Sequence, residues 1–113
     1  MNHTSDEQIA LFADRLAALG TEARLRIIRL LLAAHPGGLV VGEIGAELDI
    51  APSTLSHHLD KLKNEGLVNV KRESNFLRYT ANTEALQGLV AFLFAECCTR
   101  NRVIPPETIT ACC

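Results

Sequence analysis

Residues 50 to 67 read IAPSTLSHHLDKLKNEGL, and this stretch decides the fold. Pro52 suits the first turn of a helix, and Gly66 offers the left-handed backbone position that commonly ends one. Three leucines recur at helical spacing and predict a buried face: Leu55, Leu59 and Leu62. Short hydroxyls and an imidazole occupy the opposite face. The stretch therefore predicts an amphipathic helix from Pro52 to about Glu65, with a polar face open to a partner.

Hydrophobic periodicity predicts three helices before this one. They run from about Ser5 to Leu19, from a Thr21 cap to about His35, and from about Gly42 to Leu48. The inner stripe of the second helix is predicted from residues at helical spacing: Leu25, Ile28 and Leu32. Residues 36–38 (PGG) break that helix, and residues 39–41 form a short extended piece. Residues 49–51 make the tight turn between the third and fourth helices.

Two short strands and a last helix follow. The strands run from Leu67 to Arg72 and from Phe76 to Thr80, and Asn82 caps a helix from about Thr83 to Thr99. Two short helices joined by a three-residue turn and followed by a basic hairpin describe a winged helix-turn-helix. We therefore predict a mainly α fold with a small β-hairpin in residues 1–103, followed by a flexible cysteine-containing tail at 104–113.

The composition fits one domain without a membrane segment. Hydrophobic residues make up 48% of the 113 residues and aromatic ones only 4%, so an aliphatic core is expected. No apolar run is long enough to span a bilayer, and the polar, acidic N-terminus is unlike a signal peptide. These features predict a cytoplasmic protein with no membrane partner. In that compartment clustered thiols stay reduced, so they are expected to bind metals or respond to oxidants.

The charge distribution favours a nucleic-acid partner more than the net charge does. The net charge is -2, but basic residues concentrate between residues 51 and 80. Hydroxyl, imidazole and lysine side chains early on a helix can donate and accept at base edges, and hairpin side chains can contact the backbone. The predicted DNA contacts are Ser53, Thr54, Ser56, His57 and Lys61 on the helix, with Lys71, Arg72, Asn75 and Arg78 on the hairpin. The plain alternative is a solvated face of a small helical domain.

His58 is interpreted differently from His57. It lies nearer the apolar edge of the helix, so we predict a packed or hydrogen-bonded structural histidine. Adjacent helix positions point about 100° apart, so the two histidines do not readily hold one ion.

The segment STLSHHLDKLKNEGLVNVKRESNFLRYTAN, residues 53–82, resembles the recognition helix and wing of the ArsR/SmtB family of metal-responsive repressors. TEARLRIIRLLLAAHPGGLVVGEIGAEL, residues 21–48, resembles the helices and linker before it. The likeness covers roughly residues 8–98. It implies a homodimer, formed through the first and last helices, that leaves its double-stranded operator DNA when an inducer binds. It also implies that Ser53, Ser56 and His57 face the groove, and that Arg72 and Arg78 serve the wing.

The sequence departs from the metal sites of that family in two places. The best-known arsenic sensors carry Cys-Val-Cys at the start of the third helix, where this chain has Val40-Val41-Gly42. The zinc sensors use histidines and carboxylates across their last helices, and the last helix here has no histidine. Sensing of an ion is therefore assigned to the only cysteines of the chain: Cys97, Cys98, Cys112 and Cys113.

The cysteines follow an apolar stripe on the last helix, which is either a dimer interface or part of the monomer core. On a helix Cys97 and Cys98 would point about 100° apart, so they form a poor disulfide and an incomplete metal site. Residues 99–113 could bring a tail thiol back, since about 45 Å of extended chain is available. Three thiolates suit trivalent arsenic or antimony, whereas four suit zinc or cadmium. The resemblance favours Cys97 and Cys98 with one of Cys112 or Cys113, because some arsenic-responsive family members have such a site.

The resulting hypothesis is a homodimeric operator-binding repressor that trivalent arsenic or antimony releases. The alternatives are a repressor that senses thiol oxidation or another soft metal (cadmium, zinc or lead) through the same cysteines, and a thiol protein that sequesters metal without binding DNA. An enzyme is not predicted, because a dithiol oxidoreductase usually shows Cys-x-x-Cys near a βαβ unit.

Overall fold

The computed structural model describes the backbone of residues 3–100 and the side chains of residues 6–100. Its helices are α1 (His3–Leu19), α2 (Glu22–Ala33), α3 (Val41–Leu48), α4 (Pro52–Asn64) and α5 (Thr83–Phe94). Its strands are β1 (Leu39–Val40), β2 (Val68–Glu73) and β3 (Phe76–Ala81). The mainly α winged helix-turn-helix is confirmed, with α3 and α4 as the helix-turn-helix. The predicted tail at 104–113 lies outside the described residues.

The wing is a three-stranded antiparallel sheet in the order β1-β3-β2. Leu39 pairs with Tyr79 and Val40 with Arg78, so the extended piece before α3 joins the predicted hairpin. The sheet therefore has one more strand than the hairpin that was predicted. β3 lies in its centre, and β1 and β2 form its edges.

Side-chain caps fix where two of the helices begin. The Thr21 side chain accepts a hydrogen bond from the Arg24 amide, and the Asn82 side chain accepts one from the Ala85 amide at 3.2 Å. Both predicted caps are confirmed. Asp49 ends α3 in the left-handed conformation, with φ of 53°, and this sharp change of direction leads into α4.

The core is aliphatic, as predicted, but α2 turns a different face toward it. Ile27 and Leu31 are completely buried, whereas Leu25 and Leu32 are 48% and 42% exposed. The predicted inner stripe is therefore wrong at Leu25 and Leu32 and correct at Ile28. Apolar residues cover a wide arc of α2, so two stripes share the helical period. Packing against β3, α3 and α4 selects the stripe that contains Ile27 and Leu31.

α5 ends at Phe94 and not near Thr99 as predicted. Beyond it, the amides of Ala95, Cys97 and Thr99 donate to the carbonyls three residues before them, so the chain continues as turns. The Thr99 hydroxyl also donates to the Glu96 carbonyl at 3.0 Å and competes for the acceptor that a longer helix would use. Cys98 has a left-handed φ of 62°. The two cysteines therefore do not occupy adjacent helical positions.

Candidate DNA-binding surface and cysteine pair

α4 separates a buried leucine face from an exposed polar face. Leu55, Leu59 and Leu62 are at most 1% exposed and fix the helix on the core. The predicted DNA contacts on α4 are all exposed: Ser53, Thr54, Ser56, His57 and Lys61. The polar face can therefore approach a groove while the opposite face stays packed.

The sheet register places the predicted wing residues on two different faces. Lys71 stands opposite Arg78 across the strands, and Arg72 stands opposite Leu77. Because successive side chains on a strand alternate in direction, Lys71 and Arg72 point to opposite faces, and both are exposed. Asn75 lies exposed in the turn between β2 and β3. Lys71 and Arg72 therefore lie on opposite faces of the wing, and their predicted DNA contacts stay predictions.

The guanidinium of Arg78 is already engaged within the protein. Its Nε donates to Glu73 Oε1 at 2.9 Å, and its Nη1 donates to the Gly38 carbonyl at 3.3 Å. Its side chain is 32% exposed. The predicted DNA contact by Arg78 stays a prediction, but the carboxylate beside it offsets its charge. The first strand was predicted to end at Arg72, whereas β2 includes Glu73, and this ion pair was not predicted.

Gly38 brings the loop before β1 into close contact with β3. Its φ is 71°, and a Cβ at this position would lie 2.2 Å from the Tyr79 carbonyl oxygen. Only glycine allows this approach. The loop that accepts the hydrogen bond from Arg78 is therefore held against the wing.

His58 is half-buried at the edge of the leucine face. Its Nδ1 lies 3.4 Å from Nη1 of Arg24, a residue of α2. The pKa of His58 is lowered, first by burial and then by the positive charges of Arg24 and His57. The prediction of a packed, hydrogen-bonded histidine is confirmed.

α1 and α5 lie together and leave an apolar surface exposed. The rings of Phe12 and Phe92 stack with their centroids 4.3 Å apart, which joins the two helices. Five large apolar side chains around this contact are between 41% and 59% exposed: Ile9, Leu16, Val90, Leu93 and Phe94. We call these five residues the apolar face. On the apolar stripe of α5, Leu89 is 4% exposed and Leu86 packs against the core. The stripe therefore contributes to the monomer core through these two residues and to the apolar face through the other three.

The two described cysteines lie just beyond this face. Their Sγ atoms are 3.6 Å apart, Cys97 is exposed and Cys98 is half-buried. The hydrogen bond with Cys98 is the main cause that raises the pKa of the Cys97 thiol. No group of three or more potential metal ligands occurs within the part of the chain that the structure describes. The predicted ligands Cys112 and Cys113 lie outside that part.

Comparison with known proteins settles the family. Residues 21–70 match the family described as bacterial regulatory protein, arsR family. The transcriptional activator HlyU of Vibrio cholerae serotype O1 is 33% identical over 87 residues, which span 77% of this chain and 78% of HlyU. The chain belongs to the arsR family. A structure of Vibrio cholerae HlyU superimposes with a TM-score of 0.66 at 32% identity, covering 87% of this chain and 99% of that one.

Two other similar proteins are informative. A putative arsenical resistance operon repressor of Halobacterium salinarum is 36% identical over 78 residues, which span 67% of this chain and 58% of that protein. A homodimeric winged helix-turn-helix DNA-binding domain of Mycobacterium bovis superimposes with a TM-score of 0.68 at 27% identity, covering 85% of this chain and 89% of that one. The arsR-family assignment makes this chain a DNA-binding transcriptional regulator. No helix between residues 3 and 100 is long and apolar enough to cross a membrane.

Proposed function

We propose that this arsR-family protein is a homodimeric repressor that places α4 in the major groove of a palindromic operator. The observation that carries the proposal is the two-sided character of α4. Its leucines are buried, while hydroxyl, imidazole and ammonium groups share one exposed face. Ser53, Ser56 and His57 read base edges, and Lys61 contacts the backbone.

The apolar face of α1 and α5 supplies the dimer contact. Several large apolar side chains exposed on two packed helices favour association. In an isologous dimer each residue of the face is buried twice, once in each copy. The Mycobacterium bovis relative is described as homodimeric. Two copies of α4 related by a two-fold axis would read two half-sites about 34 Å apart.

The proposed inducer is trivalent arsenic or antimony, held by Cys97, Cys98 and one of Cys112 or Cys113. Two thiolates of a tetrahedral zinc site with bonds of about 2.3 Å lie about 3.8 Å apart. The observed separation of 3.6 Å between Sγ atoms is close to this spacing, so the pair fits two ligands of one soft ion. Each of three thiols would replace one hydroxide of arsenous acid and release one water. The pair adjoins the apolar face, so binding there can alter how the two subunits meet.

Thiol oxidation is the second candidate, and cadmium, zinc or lead at the same thiols is a variant of the first. The solved structure of one relative is described as reduced HlyU, and this description is a reason to test oxidation as a trigger. In that reaction two thiols give two protons and two electrons to hydrogen peroxide, and a disulfide and two waters form.

The test uses an operator selected from random duplexes by repeated binding. Wild-type protein bound to it is titrated with arsenite, antimonite, cadmium, zinc, lead and peroxide, and release is followed by fluorescence anisotropy. Arsenite or antimonite should release the wild type, and Cys97→Ser and Cys98→Ser should stay bound. Comparing Cys112→Ser with Cys113→Ser identifies the third ligand.

Different results would point elsewhere. If both Cys97→Ser and Cys98→Ser still leave DNA with arsenite, the assigned site is wrong. Release by peroxide alone selects the redox sensor. Failure of the wild type to bind any duplex at low salt would exclude the repressor and favour metal sequestration.

A further inference from the structure

We infer that two arginines, Arg15 of α1 and Arg24 of α2, set the orientation of the recognition helix α4 relative to α1. We call this pair the arginine brace. The inference rests on the proposed DNA-binding role of α4, and it adds positioning residues that do not themselves touch DNA.

Arg24 joins the end of α1 to the middle of α4. Its Nε donates to the carbonyl of Ala18, and its Nη1 lies 3.4 Å from His58 Nδ1. Ala18 is in the last turn of α1, where carbonyls lack partners within the helix. Because a guanidinium only donates, the His58 Nδ1 must accept, which keeps that ring neutral with its proton on Nε2.

Arg15 makes the second connection, at the C-terminal end of α4. Its Nε donates to the Glu65 carbonyl at 3.1 Å. Glu65 is the C-cap residue of α4, so this bond also satisfies a carbonyl that the helix leaves unpaired. The same guanidinium lies over the Phe12 ring, 5.7 Å from its centroid. Phe12 in turn stacks on Phe92 of α5.

The two connections act at separate points along α4. His58 and Glu65 are seven positions apart, which is about 10 Å along a helix axis. The three buried leucines fix α4 on the core, and the two hydrogen bonds add directional restraints at its middle and at its end. Two bonds at separate points oppose both rotation and tilt of α4. His57, on the groove-facing side, is the direct neighbour of the braced His58, so rotation at His58 would displace it.

The brace also relates the two surfaces that the proposed function needs. Arg15 belongs to α1, which carries Ile9 and Leu16 of the apolar face, and it contacts the C-cap of α4. The spacing of two recognition helices in a dimer depends on how each is held relative to its dimer contact. The brace is thus positioned to set the half-site spacing that the protein accepts.

A double-mutant cycle tests this inference. Arg24→Gln, His58→Gln and the double variant are compared with wild type for affinity to the selected operator, with unfolding by urea measured in parallel. Each single variant should bind the operator roughly 3- to 30-fold more weakly than wild type. The double variant should bind about as weakly as the single variant with the lower affinity, since Arg24 and His58 share one interaction. Arg24→Lys should not rescue binding, because an ammonium lacks the planar fork that reaches both acceptors.

The matched control is Arg26→Gln. Arg26 lies on α2 as well, but its only described partner is Glu22, and its side chain is 68% exposed. It should bind the operator like wild type. The titration of His58 by NMR provides a readout that loss of stability does not mimic: Arg24→Gln should raise the pKa of His58, because the Arg24 charge lowers it.

Two results would overturn the inference when all variants fold. The first is an Arg24→Gln or His58→Gln variant that binds the operator like wild type, and the second is fully additive losses in the cycle. If Arg24→Gln does not fold, unchanged operator binding by both His58→Gln and Arg15→Gln overturns the inference. If the wild type binds no duplex, the proposed function and the inference both fail. If the wild type binds normally and the variants bind equally well, the inference alone is overturned.

Discussion

Removing charges from the wing should show which basic residue contacts phosphate and which one holds the wing in place, because only a phosphate contact changes the salt dependence of operator binding. Lys71 and Arg78 face each other across β2 and β3, but only Arg78 has a carboxylate partner among residues 6–100, at 2.9 Å. We compare Lys71→Gln with the double variant Glu73→Gln/Arg78→Gln, which removes the ion pair without changing the net charge. Lys71 is expected to contact phosphate, whereas the pair of Glu73 and Arg78 is expected to hold the wing.

The expected change in the salt dependence of operator affinity is calculated from counterion release. Each phosphate contact contributes a slope of about -0.9 to the logarithm of affinity against the logarithm of salt concentration. Raising salt fourfold therefore weakens binding by about 3.5-fold for each contact. Lys71→Gln should reduce the slope by about 0.9. The double variant should bind more weakly at every salt concentration, with the slope of wild type.

The assay is fluorescence anisotropy with a labelled operator duplex over a fourfold range of potassium chloride. Circular dichroism on each variant ensures that folded proteins are compared. A double variant whose slope falls as much as that of Lys71→Gln would show that Arg78 contacts phosphate. The assignment of Arg78 to wing positioning would then be wrong.

Three further predictions concern the dimer, the loop before β1 and the thiols. Leu93→Glu, at a side chain that is 59% exposed on the apolar face, should weaken dimerisation at least about 100-fold in sedimentation equilibrium, because each copy loses about 1.5–3 kcal/mol of apolar burial. Gly38→Ala should lower the melting temperature by about 10 °C or more, since its Cβ would clash with the Tyr79 carbonyl, 2.2 Å away. Cys98→Ala should lower the pKa of Cys97 and speed its alkylation near neutral pH, because the hydrogen bond that raises this pKa and keeps the thiol protonated is lost.

Each of these has a control or a contrary result. Phe76→Glu changes a side chain that is 60% exposed on the wing and should leave the dimer intact. Gly42→Ala adds a Cβ on α3 with no atom within 4 Å and should stabilise the protein by about 0.5–1 kcal/mol. For the thiols, peptide mass mapping follows the labelling rate of Cys97, and an unchanged rate would show that Cys98 does not control its pKa.

Sequence patterns predicted a helix or strand well where the different sequence signals agreed. In α4 a proline at the first position, leucines at one spacing and a final glycine agree, and both the helix and its buried face are confirmed. The face of α2 was wrong because its apolar residues allow two stripes, and only tertiary packing distinguishes Leu25 from Ile27. The end of α5 was wrong because turns with i to i-3 bonds have no strong composition signal in residues 95–100.

For the functional side chains too, some features follow from local sequence patterns and others depend on tertiary packing. Exposure on α4 follows from helical periodicity and could be predicted. His58 lies 34 positions from Arg24, and Gly38 lies 40 positions from Arg78, so no local pattern indicates these two contacts. A basic residue in a hairpin looks the same in a sequence whether it contacts phosphate or a carboxylate of its own chain.

The order of the strands has a consequence for the protein in the absence of DNA. Among the strands between residues 3 and 100, β2 is an edge strand, so one row of its backbone amides and carbonyls has no neighbouring strand there. Such an edge can pair with another chain and lead to aggregation, and lysines or arginines there prevent it. Lys71 and Arg72 lie on this edge, one on each face. The charges proposed to face phosphate thus also keep the unbound regulator from assembling through its wings.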